Sequence, residues 1–246
     1  MCELAKHHRA SFPKSKYKPS IPFTLIHSDL WGPSRIPNKT HKKWFITFID
    51  DHTRMCWVYL LTDKTEVRSV FMNFHSRIQT QFHTKIQILR TDNGTEYFNH
   101  SLSTYLQENG IIHQSSCVDT PQQNRVAERK NGNILEVARA LPFTSHMPSQ
   151  FWGDSILIAT YLINRMPSRF LSFITPLQKF HEFFPHSRLD AHLPLCVFGP
   201  LCLSTLTDLS GTNLIPERLN VSFLATLPLK KATNAVTQYH RSYMLA

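Results

Sequence analysis

The hydrophobic pattern changes its period near residue 63, and this change most restricts what the chain can fold into. Residues 42–51, KKWFITFIDD, and 55–61, MCWVYLL, are predicted strands joined by a short turn, which makes a hairpin. From 63 to 82 the apolar residues recur at steps of three and four, as on one face of an amphipathic helix. The pattern therefore predicts an α/β protein.

Further strands and helices are predicted on both sides of residues 42–82. Further strands are predicted at 23–31, 85–89 and 111–116, and further helices at 100–110, 123–141 (stopped by Pro142) and 148–166. Three antiparallel strands followed by strand–helix alternation predict a mixed five-stranded sheet flanked by helices. From about residue 167 the chain is proline-rich and irregular, and no element is predicted there.

The charge of the chain favours an acidic partner. Lys and Arg number 27 against 17 acids, a net charge of +10, and nucleic acid is the first candidate for such a surface. A basic surface with no partner remains the alternative. Five scattered cysteines argue against a disulfide framework and for a reducing compartment. With no apolar leader and no apolar run of ~20 residues, we expect a soluble intracellular protein without a membrane partner.

Three acids are predicted to converge. In this topology the first strand is central, and the strand after the first helix lies beside it. Asp29 is near the end of the former, Asp92 follows the latter, and Glu128 lies in the first turns of the long helix. Asn124, Glu128 and Asn131 are spaced i, i+4, i+7, so they share one polar face of that helix.

This set of acids suits divalent cations. Adjacent carboxylates repel each other unless a cation lies between them. Mg²⁺ prefers oxygen ligands, and two ions roughly 3.5–4 Å apart support phosphoryl transfer. We expect Asp29 to bridge both ions, with Asp92 and Glu128 each holding one. The simpler alternative for the Asn93-Gly94 stretch is a tight turn.

Other polar residues are assigned simpler roles. Asp50 and Asp51 are predicted to serve a turn, Glu96 and Asp119 to be surface acids, and His27 to pack rather than to bind metal. The histidines lack zinc-hydrolase spacing, and the chain has no phosphate-binding GxxxxGK[ST] loop.

Four phrases, in order, carry a family resemblance: HSDLWGP, FITFIDDHTR, TDNGTEY and TPQQNRVAERKN. From about residue 2 to 198 the chain resembles the integrase catalytic core of Ty1/copia-type long-terminal-repeat retrotransposons. The 35 residues between Asp92 and Glu128 match the family's Asp, Asp-35-Glu signature. The resemblance implies a ribonuclease H-like fold, a two-metal Mg²⁺ or Mn²⁺ site, and 3′-end processing and strand transfer of element DNA into target DNA. It also implies a nuclear location and a homo-oligomer in the intact family member.

The resemblance assigns site residues as well. Asp29, Asp92 and Glu128 would be catalytic and metal-binding. The residues that would meet DNA are Gln122, Gln123, Asn124, Arg129 and Lys130. Arg125 stands where the family has glycine, at the entry to the catalytic helix.

The expected organisation follows from the same comparison. Residues 1–22 are a basic linker whose Cys2 matches the end of a lost zinc module, 23–166 form the catalytic core, and 167–199 are an extension. Residues 200–246 depart from the family, and we expect a disordered tail read out of frame.

The main interpretation is an integrase core whose activity is weakened by truncation. Two alternatives stay open. One is a non-catalytic nucleic-acid-binding remnant of the same fold, which metal titration would distinguish. The other is a ribonuclease H, which shares the fold but normally carries a fourth acid and lacks the PQQN…AERKN helix.

Overall fold

A five-stranded sheet organises the fold. The computed structural model describes residues 21–116, 124–145 and 148–187, with side chains up to Leu141 in the second range. The strands are β1 (Leu25–Trp31), β2 (Trp44–Asp50), β3 (Cys56–Leu61), β4 (Ile88–Thr91) and β5 (Ile112–Ser115). The helices are α1 (Val67–Phe82), α2 (His100–Glu108), α3 (Arg125–Ser145), α4 (Trp152–Asn164) and α5 (Pro176–His181).

The sheet is mixed, as predicted. Its strand order is β3-β2-β1-β4-β5, so β1 is central. β1, β2 and β3 pair antiparallel, whereas β4 runs parallel to both β1 and β5. The fold class predicted from the hydrophobic pattern is confirmed.

The two faces of the sheet carry separate cores. Ile26 and Leu30 of β1 pack with α1, α2 and α5 on one face. Trp31 packs with α3 and α4 on the other. Since side chains alternate along a strand, Asp29, two residues before Trp31, belongs to the α3 face.

Helix α3 differs from its predicted end. It continues through Pro142 to Ser145, so the expectation that proline stops it is wrong. Proline inside a helix removes one backbone hydrogen bond and crowds the preceding turn. Along α3, Ile134, Val137 and Ala138 are buried in the core shared with α4, and this packing compensates for the loss.

Helix α5 was not predicted at all. Thr175 accepts a hydrogen bond from the Gln178 amide, and the Gln178 side chain accepts one from the Thr175 amide, which is a complete capping box. Pro176 opens the helix, and Phe180 is fully buried against the rings of Phe23 and Trp57. Residues 176–184 thus belong to the same core as the sheet.

Within the described ranges, none of the helices has both the length and the apolar character needed to cross a membrane. The basic linker up to residue 20, Asp119 and the tail from 188 lie outside the described residues.

Candidate active site

Asp29 and Asp92 lie side by side at one edge of the sheet. β1 and β4 run parallel in a register that pairs His27 with Arg90, and extending it by two residues brings Asp29 abreast of Asp92. The carboxyl ends of parallel strands meet at one edge, which is where α/β folds place their ligands. Both acids are half-buried there.

Helix α3 is tied to this edge by its polar stripe. The Asn124 side-chain amide donates to the Ser28 carbonyl at 3.3 Å, and that of Asn131 donates to Asp29 Oδ2 at 2.8 Å. Both asparagines are buried. Glu128 lies between them on the same helical face, so the stripe brings the third acid to the other two.

The charges of Asp92 and Glu128 act on the Asp29 carboxylate. Burial, together with repulsion by Asp92 and Glu128, raises the pKa of Asp29 to about 6, and the hydrogen bond from Asn131 opposes the shift. The ionised form of Asp29 is therefore costly without a counter-charge.

The three acids fit a divalent cation by the chemistry of their donor atoms. All three offer carboxylate oxygens, and the buried Oδ1 atoms of Asn124 and Asn131 have no hydrogen-bond partner. Glu128 is exposed, and no hydrogen bond to the described residues restrains it. In the part of the chain that the structure describes, no three His, Cys, Asp or Glu side chains group closely enough to enclose an ion.

The Asp92-Asn93-Gly94 stretch is a turn, but not a hairpin. Asp92 Oδ1 accepts from the Gly94 amide at 3.1 Å, and the chain then continues to α2 rather than to an antiparallel strand. A side chain at Gly94 would approach the Glu96 carboxylate to 2.6 Å and Asp92 Oδ1 to 3.0 Å. Glycine thus lets two carboxylates share this turn.

Glu96 was expected at the surface, and that expectation is wrong. Its side chain is only 6% exposed and pairs with Lys64 at 3.4 Å. The neighbouring Tyr97 hydroxyl lies 2.8 Å from the hydroxyl of Ser28. Burial raises the pKa of Tyr97 well above its ordinary value, opposed by that hydrogen bond, and the charges of Asp29, Asp92 and Glu96 raise it further. One signal in the sequence pointed to the burial of Glu96, its position two residues after Gly94 in the turn that follows β4.

The second acidic pair serves the β2–β3 turn, as predicted. Asp50 accepts hydrogen bonds from the Phe23 amide and from both the amide and hydroxyl of Thr53, at 2.7–2.8 Å. Asp51 bonds buried His27 at 2.9 Å. His27 therefore packs and supports the turn.

Three of the five residues expected to meet DNA lie within the described ranges. Asn124 uses its amide to anchor α3, while Arg129 is exposed and Lys130 half-buried on another face of that helix. Gln122 and Gln123 lie outside the described residues.

Comparison with known proteins identifies the family. Residues 19–121 match the family model "Integrase core domain". The chain is 40% identical over 175 residues, or 71% of its length, to the retrovirus-related Pol polyprotein from transposon TNT 1-94 of Nicotiana tabacum. It is 34% identical over 223 residues, or 91% of its length, to that from transposon RE2 of Arabidopsis thaliana.

The chain belongs to the integrase core family. It spans only 13% and 15% of the lengths of these two relatives, which are far longer polyproteins. The resemblance to retrotransposon integrases and the polynucleotidyl transferase family membership that it implies are confirmed.

Solved structures confirm the fold of this integrase core. It covers 100% of the HTLV-2 integrase catalytic core domain in complex with magnesium, using 67% of its own length, at 18% identity and a TM-score of 0.50. It covers 68% of a chain of the simian T-cell lymphotropic virus intasome in complex with PP2A regulatory subunit B56 gamma, using 79% of its own length, at 15% identity and a TM-score of 0.57. Identities this low establish the ribonuclease H-like fold alone.

Proposed function

We propose that this integrase core acts in DNA integration, by Mg²⁺- or Mn²⁺-dependent 3′-end processing and strand transfer of retrotransposon DNA. The supporting observation is the half-buried Asp29 carboxylate on the central strand, whose pKa the charges of Asp92 and Glu128 help to raise. Burial and acidic neighbours both disfavour the charged form of this carboxylate, so a bound cation would stabilise it.

We assign Asp29, Asp92 and Glu128 as the catalytic residues, which would together hold a pair of divalent ions. When bound, a pair of divalent ions supplies an activated oxygen nucleophile and neutralises charge on the leaving oxygen. Asn131 donates to Oδ2 of Asp29 and so orients this carboxylate. Asn124 fixes the start of α3 against β1, which keeps Glu128 within reach of the site.

The proposed substrates are element ends and target DNA. The net charge of +10 suits a phosphate backbone, which dominates the affinity of DNA-binding proteins. Arg129 and Lys130 would contact phosphates, and Gln122, Gln123 and Asn124 would lie near the DNA end. Because genomic DNA is the proposed target, we also propose a nuclear location. We further propose that the intact integrase forms a homo-oligomer.

Strand-transfer reversal on a branched DNA tests this function. With Mn²⁺, the full chain should release the donor strand, because the proposed site would use a divalent ion to activate the attacking oxygen. Asp92→Asn and Glu128→Gln should each reduce release by more than about 100-fold, while Glu136→Gln, an exposed acid of α3, should match the wild type. Release that persists in Asp92→Asn would refute the assignment, and a wild type that binds DNA without any turnover would indicate a non-catalytic remnant.

A further inference from the structure

A basic pocket lies beside the first turns of α3, away from the acidic stripe. Its volume is about 360 Å³. Its lining comes from β2 and the β2–β3 turn, the start of α3, the end of α4 with the 3-10 turn Arg169–Leu171 that follows it, and the first residue of α5. Its cationic lining residues are Arg54, Arg125, Arg129, Lys130 and Arg169.

The charge of this pocket is of one sign. Among the described residues that line it there is neither aspartate nor glutamate. Arg54 pairs with Asp51 at 3.2 Å behind the pocket, and its guanidinium stacks 3.9 Å from the ring centre of Phe170. A cleft lined by one sign of charge with apolar walls concentrates counter-ions.

The pocket brings five cationic side chains together. Lys130 is half-buried among the four arginines. A bound anion would offset the repulsion between these charges. The walls contain Ile49, Ile163 and Pro176, apolar surface that a bare inorganic ion does not require.

The pocket and the acids occupy different faces of one helix. Val126, Arg129, Lys130 and Asn133 are spaced i, i+3, i+4, i+7 and line the pocket, while Glu128 lies on the acidic stripe. A helix is about 10–12 Å across with its side chains. At ~3.4 Å of rise per nucleotide, that width corresponds to about three nucleotides of a DNA strand.

We propose that this pocket binds a backbone phosphate of a DNA strand that crosses α3, about three nucleotides from the phosphate at the acids. The inference rests on the proposed function and adds Arg54, Arg125 and Arg169 to its DNA contacts. Arginine suits this role because its planar guanidinium can bind phosphate through two hydrogen bonds.

DNA binding in EDTA tests the pocket independently of metal and catalysis. Affinity for a labelled duplex is measured across a salt series for the wild type and for Arg125→Gln/Arg169→Gln. The control pair Arg68→Gln/Lys85→Gln removes the same charge from exposed positions on the α1 side of the sheet. The pocket pair should lower the slope of log affinity against log salt by about one, and the control pair should leave it near the wild-type value.

Two further arms make the result decisive. Arg125→Lys/Arg169→Lys keeps both charges and should restore most of the slope, whereas failure to restore it would mean a structural effect and overturn the proposal. Pyrophosphate is titrated into DNA-free protein as a free phosphate source. If pyrophosphate binding depends on the two arginines while DNA binding does not, the pocket serves a free phosphate compound and the DNA assignment is wrong.

Failure of the pocket differs from failure of the proposed function. If the wild type releases the donor strand but the pocket pair and the control pair bind DNA equally, only the pocket proposal is wrong. A wild type that binds DNA through the pocket without any metal-dependent turnover overturns the catalytic function alone. A wild type that binds no DNA overturns both.

Discussion

At the scale of single residues, Asn131 links the catalytic helix to the central strand. It is buried, and its amide donates to Asp29 at 2.8 Å. Groups that orient a metal ligand commonly change metal affinity by 10–100-fold when they are removed. Asn131 should therefore act as a positioning residue for the Asp29 carboxylate.

Asn131→Ala should weaken Mn²⁺ binding about tenfold or more, because the Asp29 carboxylate loses its orientation and its pKa rises further. Isothermal titration with Mn²⁺ measures the change, with circular dichroism to confirm folding. Asn73→Ala, at an exposed position of α1, is the matched control. Equal Mn²⁺ affinity in Asn131→Ala and the control would contradict the positioning role.

Asp154, in the first turn of α4, should make stability depend on pH. Burial raises its pKa to about 6 from an ordinary 3.8, opposed by Lys39. Because the folded state then binds the proton more tightly than the unfolded state, the Asp154 carboxylate lowers the free energy of unfolding as pH rises from about 4 to 6.

Asp154→Asn should remove this loss and stabilise the protein at pH 7 by about 1–3 kcal/mol, with no difference from the wild type below pH 4. Urea unfolding at pH 4, 5 and 7 measures it. Glu108→Gln, an exposed acid of α2, should show no such trend. If Asp154→Asn is no more stable than the wild type at pH 7, the pKa of Asp154 is not raised as described.

At the scale of elements, local signals identified the long amphipathic segments and missed short or interrupted ones. The period change near residue 63 placed α1, because sixteen helical residues repeat the pattern several times. Helix α5 has six residues, too few for a period, yet its Thr175–Gln178 capping box was visible in the sequence. Strand β4 begins at Ile88 rather than 85, since pairing with β1 and β5 sets its bounds.

Helix α5 should be essential to the core although it lies late in the chain. Phe180→Ala should lower the free energy of unfolding by about 3–5 kcal/mol, because it leaves a cavity among Phe23, Trp57 and Phe82. Phe173→Ala, at a position 60% exposed, should change stability by less than about 0.5 kcal/mol. Chemical denaturation distinguishes the two, and comparable small losses would show that α5 only rests on the surface.

At the scale of the whole molecule, the sheet brings Asp29 and Asp92 to one edge, and a basic pocket lies beside the same long helix. The approach of Asp29 to Asp92 was predictable, because motif spacing and strand order both point to it. The burial of Glu96 and the pocket around Arg54 and Arg169 were not predictable, since a turn and the meeting of segments distant in sequence create them. Tertiary structure alone brings such groups together.

Mn²⁺ titration of the full chain, with and without Asp92→Asn, tests the central claim most directly. We expect saturable binding by the wild type, weakened at least about tenfold by Asp92→Asn and unchanged by Glu136→Gln. Equal Mn²⁺ binding by Asp92→Asn and the wild type, or none by the wild type, would contradict a metal site formed by the three converging acids.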